Sequence, residues 1–452
     1  MTGETTSSQR HPCSMKLTGG DRSLHSALPA RYAGDMPETQ YAGPTEGSAE
    51  PDLNPYRAGP SDADQPPQRL HECASPVLAI SLLAAMHFLV DTAAGTINPL
   101  WQGFEKHFGV GSGGLLWVAI CWHGASSFSQ LLFAWWADRA PKRWLIWVGP
   151  CVGIVCMGLT GLAPHPVVLA LLLVLSGLGI AAFHPEGAAT AGAVAPSRRS
   201  RMMAIFALWG YLGQSFGPSL SANITAGFGF HALAWSGLAA LLALMALMTQ
   251  RRLLPMPPQR VTSSSDGARG ESRWQDWALL LSVGTLRIVP SIGVPLVVAY
   301  WLSDQVRIGS IQSAFMIGVG AGSILCAFLV RPQWERAVIW GQPLLAAPCL
   351  IAIPHVPPAW LAPTVGVAGF MLGIALPVFI SFGQQMMPRH PRAARSITQG
   401  VSWGTAGAIV AAAVWAAIKL EARPQLFYVL AVFSFAAGLL SLRLPRVEEQ
   451  QQ

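Results

Sequence analysis

From about residue 76 onward the chain alternates between apolar stretches of roughly 20 residues, long enough to cross a ~30 Å hydrocarbon core, and short islands that collect the charged residues. The stretches fall at 76–102, 113–136, 144–163, 167–194, 201–226 and 231–249, and then at 275–301, 309–330, 337–355, 359–387, 396–418 and 425–442. Each is expected to be a membrane-spanning helix. The fold class is therefore all-α, a polytopic membrane protein of twelve transmembrane helices in two sets of six. Between the sets lies "RVTSSSDGARGESR", polar and rich in Ser and Gly, which reads as a flexible linker. The expected organisation is a disordered cytoplasmic tail over 1–70, a six-helix bundle over 76–250, a cytoplasmic linker over 251–274, a second bundle over 275–443 and a short cytoplasmic tail over 444–452.

The two sets repeat one another. A shift of 194 residues lays "LGIA" at Leu178 to Ala181 on "LGIA" at Leu372 to Ala375, and Arg201, Trp209, Gly210 and Gly213 on Arg395, Trp403, Gly404 and Gly407. A shift of 193 lays "RWLIW" at Arg143 on "RAVIW" at Arg336. Two parallel repeats about a central pathway are an architecture of membrane transporters, with cargo near the midplane.

Charge sets the orientation. Only 11% of the residues are Asp, Glu, Lys or Arg, against about 25% in soluble domains. With the amino terminus inside, the inner connections hold eighteen Lys and Arg and the outer ones four, namely Lys106, Arg307, Lys419 and Arg423. Both termini are then cytoplasmic, and the cell inner membrane is the expected location. The net charge of +7 has its source in these loops, so no nucleic-acid partner is expected. The seven cysteines include no C-x-x-C pair, and neither a disulfide framework nor a zinc site follows. No run such as G-x-S-x-G or H-E-x-x-H points to an enzyme, and no cofactor is expected.

An ionisable group within hydrocarbon costs about 3 kcal/mol or more, so each one needs a reason. His87 and Asp91 are four residues apart in the first span and share a face. Either they take and release a proton or they are a polar pair holding helices together. In the fourth span His184 and Glu186 flank Pro185, whose missing N–H kinks a helix and frees carbonyls, a setting for a proton relay, unless Glu186 only reaches toward the surface. His123 stands alone and reads as a packing residue, and a His87, His123, His184, Glu186 metal site lacks any metalloenzyme spacing. Arg287 lies about twelve residues from either end of its span. It is expected to pair with Asp91 or Glu186 or, alternatively, to hold an anionic group of the cargo in its fork.

The loop "AWWADRAPKRW" resembles the signature loop of the major facilitator superfamily, with Ala134 and Pro141 at positions where that pattern has Gly. "HFLVDTAAGTINPLW", "FHPEG" and "IFALWGYLGQSFGP" are similar to the fosmidomycin-resistance family of drug efflux proteins within it, and the likeness covers most of 76–443. The second half departs from the pattern: "LVRPQWER" has Arg331 where Asp is expected, and "FGQQMMP" has Gln385 where Glu is expected after Gln384. The resemblance implies proton-coupled export of a small molecule by a monomer in the lipid bilayer. It implies that the pairs on the first and fourth spans meet at a cavity, that Gln384 and Gln385 join Arg287 in binding cargo, and that Asp138, Arg139, Lys142 and Arg143 form a cytoplasmic latch. Import of a metabolite, or a membrane sensor without transport, are the alternatives.

Topology is directly testable. In a cysteine-free background, a cysteine at Gly267 should react with an impermeant reagent only in inverted membranes, and one at Gly109 only in right-side-out cells; the opposite pattern would refute the orientation.

Overall fold

The computed structural model describes residues 75–139, 144–195, 198–255, 273–387 and 394–445. The tail over 1–70, most of the linker and the last residues of the chain lie outside these, as do the structural expectations placed on them. The described chain is helical throughout. In order the helices are α1 (Pro76–Gly95), α2 (Trp101–Phe108), α3 (Leu116–Arg139), α4 (Leu145–Leu159), α5 (Pro166–Val194), α6 (Arg199–Phe228) and α7 (Ala232–Met248). They continue with α8 (Trp274–Trp301), α9 (Gln305–Leu329), α10 (Glu335–Ala352), α11 (Leu361–Gly373), α12 (Leu376–Met386), α13 (Ser402–Lys419) and α14 (Leu426–Ser441).

Eight helical segments among the described residues are long and apolar enough to cross a membrane. The 24-residue α3 and the 30-residue α6 are long but more polar, with His123, Ser126, Ser127, Gln130, Gln214, Ser219 and Ser221 along them. Exposure is inverted relative to a soluble protein. Leu132, Trp235, Phe328 and Val432 are all more than 60% exposed, whereas Asp91, Glu186 and Arg287 are at most 6% exposed. That is the pattern of a bundle whose outer surface meets lipid.

Local chemistry explains where helices begin and break. Ser75 caps α1 with its hydroxyl and Pro76 opens the first turn; at α5 the ring of His165 accepts from Val167 N–H and Pro166 follows. The stretch 359–387, expected as one helix, is two. The break at Ile374 and Ala375 precedes Pro377 at the start of α12, which supplies no N–H for a bond to Gly373 and whose ring crowds that carbonyl. The first apolar run likewise ends at Gly95, and the chain turns before α2, which is a separate short helix. Before α13, residues Ser396–Val401 form a π-helical stretch, and the Ser402 hydroxyl donates to Ile397 O.

Packing follows a repeated plan. Helix α1 lies on α6 and α8 on α13, while α6 also lies on α9 and α13 on α3, so the most extensive contacts between α1–α7 and α8–α14 are these two crossings, with a smaller one between α2 and α8. Glycine permits the first. A Cβ at Gly213 would strike Phe88 O and lie 2.9 Å from Thr92 N, both backbone atoms of α1 that have no room to yield. Gly213→Ala should therefore push α1 from α6 and lower the melting temperature of the detergent-solubilised protein by several degrees. Gly227→Ala, where a Cβ would meet nothing within 4 Å, should leave it unchanged.

Candidate functional site

A buried carboxylate organises the contact of α1, α5 and α6. Asp91 is 4% exposed and His87, one turn earlier on the same face, is 6% exposed; His87 Nε2 lies 3.3 Å from Asp91 Oδ2. From α5, His184 Nε2 lies 3.1 Å from Asp91 Oδ1, and from α6 the Gln214 amide donates to Oδ2 at 3.2 Å. The two spans expected to converge do so through His184. Glu186 is buried elsewhere: it lines a small cavity with Trp147, Thr190, Arg251 and Leu254, near the ends of α5 and α7.

Two features hold the geometry. His87 Nδ1 donates to Phe206 O at 2.7 Å, and its ring stacks on that of Phe206 with centroids 4.0 Å apart. Room for both side chains comes from Gly210, where a Cβ would lie 2.6 Å from His87 Nε2 and 2.8 Å from Asp91 Oδ2. Any larger residue there would displace the pair.

A carbonyl only accepts, so His87 Nδ1 carries hydrogen. In a neutral imidazole Nε2 would then present a lone pair to an ionised carboxylate oxygen, and both would repel. The contact is favourable when one proton lies on His87 Nε2 or on Asp91 Oδ2. His184 Nε2 donates to Oδ1, and its Nδ1 has no hydrogen-bond partner among the described residues. With 24% of its side chain exposed, His184 is the accessible member of the three.

His87, Asp91 and His184 each offer one ligand atom, all within 4.8 Å of one another, so this set could hold a divalent ion. It differs from the His87, His123, His184, Glu186 grouping weighed in the sequence. The two carboxylate oxygens face different histidines at direct-contact distances, which is the arrangement of a hydrogen-bonded chain. His123 instead packs where α3 crosses α13, against Gly407.

Arg287 is 6% exposed and takes a course not foreseen. It donates to Ile339 O at 2.6 Å and to Gln342 Oε1 at 2.7 Å, and its guanidinium sits 5.2 Å from the centre of the Phe379 ring. Neither Asp91 nor Glu186 is its hydrogen-bond partner; both belong to α1–α7, while Arg287 is satisfied wholly within α8–α14. Gln385 is exposed and donates to Glu335 and Ser381, six residues or about 9 Å along α12 from Phe379. It does not join Arg287 in one site, and Gln384 is half-buried beside it. Asp138 and Arg139 end α3, but Lys142 and Arg143, and with them the latch of four, lie outside the described residues.

Sequence inspection missed several participants. Gln214 stands in the "YLGQSFGP" run and Gln342 in the apolar "IWGQPLL", each a single amide within a span, which is itself a signal. Phe206 contributes a backbone carbonyl and a stacked ring, neither of which its residue type announces.

The model of the Major Facilitator Superfamily matches residues 83–412. The chain belongs to that superfamily. It is 25% identical over 378 residues to the Fosmidomycin resistance protein of Escherichia coli (strain K12), covering 81% of this chain and 92% of that protein. It is also 25% identical over 388 residues to the MFS-type transporter YfnC of Bacillus subtilis (strain 168), covering 82% and 93%. Among solved structures it is similar to a bacterial homologue of the human lysosomal transporter Spinster in an inward-facing and occupied conformation, with a TM-score of 0.56, 15% identity and coverage of 80% and 95%. This facilitator chain is thus a multi-pass membrane protein and a secondary transporter that works by alternating access on small molecules, and not an enzyme.

Proposed function

We propose that this facilitator is a proton-coupled exporter of a small molecule, with twelve spans in two six-helix repeats, both termini in the cytoplasm and the monomer seated in the cell inner membrane. The repeated packing of α1 on α6 and α8 on α13 supports the two repeats, and the Lys and Arg asymmetry supports the orientation. Export is favoured by the name of the Escherichia coli relative, a resistance protein.

The observation that carries the coupling is the contact between His87 Nε2 and Asp91 Oδ2, which needs a proton. With it the His87, Asp91, His184 cluster is neutral; without it a net negative charge is left in a buried site, a costly state. An inward proton gradient then drives the cycle by loading the cluster in one access state and unloading it in the other. His184 is the route of entry, and Glu186, beside its cavity, is the station toward the cytoplasm. Arg287 carries a positive charge satisfied by neutral acceptors, so its field favours an anionic cargo.

Transport in everted vesicles tests this against a panel of drugs and metabolites that includes fosmidomycin. Wild-type vesicles with an imposed proton gradient should accumulate a panel member. Asp91→Asn should abolish that accumulation while retaining exchange without a gradient, and Glu186→Gln should also lose it. Accumulation at the wild-type rate in both variants would place the coupling elsewhere, and accumulation only in right-side-out vesicles would make the chain an importer.

A further inference from the structure

At the end of the bundle that carries α2, the two sets of helices are joined by a network that the transport site does not use. Helix α2 ends at Gly109, whose φ of +67° is in the left-handed region, and the chain turns back so that Leu115 N–H donates to Glu105 Oε1 at 3.1 Å. The same oxygen accepts from the Tyr300 hydroxyl of α8 at 2.7 Å. Glu105 is 3% exposed and Tyr300 2%, so a carboxyl group sits walled in at the seam between α1–α7 and α8–α14. Burial raises the pKa of this carboxyl, and its bonds from Tyr300 and Leu115 oppose the rise.

Neighbouring contacts across the seam are neutral. One turn from Glu105 on α2, the Gln102 amide donates to Ala299 O at 2.6 Å and Leu302 O at 3.2 Å, carbonyls at the end of α8. Gln312 of α9 donates to Asn98 O at 3.2 Å, and the Ser219 and Ser313 hydroxyls lie 2.7 Å apart. For access to alternate, these bonds have to break, because they tie together the two bodies that must part. These are neutral bonds that water can replace. The bond to Glu105 differs, since a hydrogen bond to a charged or walled-in carboxyl is worth more than a neutral surface one and is expensive to leave unmade.

We infer that Glu105 and Tyr300 form the latch that holds the α2 end of the pathway shut, and that its rupture is the step that admits solvent from that side. Glu105 and Tyr300 are positioning residues: they set the balance between access states and do not touch the cargo. The inference rests on alternating access, which superfamily membership supplies, and is independent of which ion is coupled. A chain that behaved as follows yet moved no protons would leave the latch standing.

The test reads access rather than transport. Ser313 is 8% exposed and faces Ser219 across the seam, so in a cysteine-free background Ser313→Cys reports opening by its rate of reaction with an impermeant maleimide applied to the α2 side. Tyr300→Phe, which keeps the ring and removes the donor, should raise that rate about tenfold or more, and Glu105→Ala, which removes the acceptor, should do the same. The double variant should rise no further than either single one, because both changes break one bond. Should either single variant fail to fold, Glu105→Asp, which draws the carboxyl back by one methylene, should raise the rate in the same direction. Unchanged labelling in the folded variants, or a double variant whose increase is the product of the two single ones, would overturn the latch.

Discussion

The N-terminal helices are built around a single electrostatic demand, that of the Asp91 carboxylate in a setting from which water is largely excluded. An unpaired charge there would be untenable, and each neighbour meets part of the need. His87 approaches one oxygen, His184 the other, and Gln214 donates to the first again. Those three residues come from α1, α5 and α6, so satisfying the carboxylate fixes how these helices meet. The small residues of α6 follow from the same demand: Gly210 leaves space for the acid and its histidine, and Gly213 brings the helix close enough for Gln214 to reach.

A second consequence concerns motion. The buried charges are settled inside their own sets of helices, Asp91 within α1–α7 and Arg287 within α8–α14, and neither uses the other as counter-ion. Had they paired across the pathway, separating the two bodies would have meant parting opposite charges in a low dielectric, at a cost of several kcal/mol. Hydrogen bonds instead bridge the seam at Gln102, Gln312 and Ser219, with Glu105 and Tyr300 the one place where a carboxyl takes part among the bonds described here. Two self-contained bodies joined by such contacts can rock without either losing its internal charge balance.

Much of this was legible in the residues, for physical reasons that also mark where legibility stops. Apolar run length reports spans because hydrocarbon thickness imposes it, and His87 with Asp91 is visible because four residues make one helical turn. The break before Pro377 does not show in the apolar run 359–387, because hydropathy is blind to a missing donor, although proline announces it. Pairing Arg287 with Asp91 or Glu186, or with an anionic group of the cargo, supposes that a buried cation needs an anion, whereas a carbonyl, an amide and an aromatic face serve it here. Its partners lie some fifty residues or more away, at Ile339, Gln342 and Phe379, a distance that no local pattern spans. Glu105 gives no local signal of burial, because only the return of the chain at Gly109 and the arrival of Tyr300 bury it.

The central claim is that the Asp91 cluster holds one proton that no other part of the chain replaces. A difference titration measures this directly: purified wild-type protein and Asp91→Asn are carried in the same detergent from strongly alkaline to mildly acidic pH, and the protons bound per chain are compared. The account predicts that the wild type takes up one proton more than the variant. Superimposable curves would contradict it, since the His87 and Asp91 contact would then exist without a proton of its own.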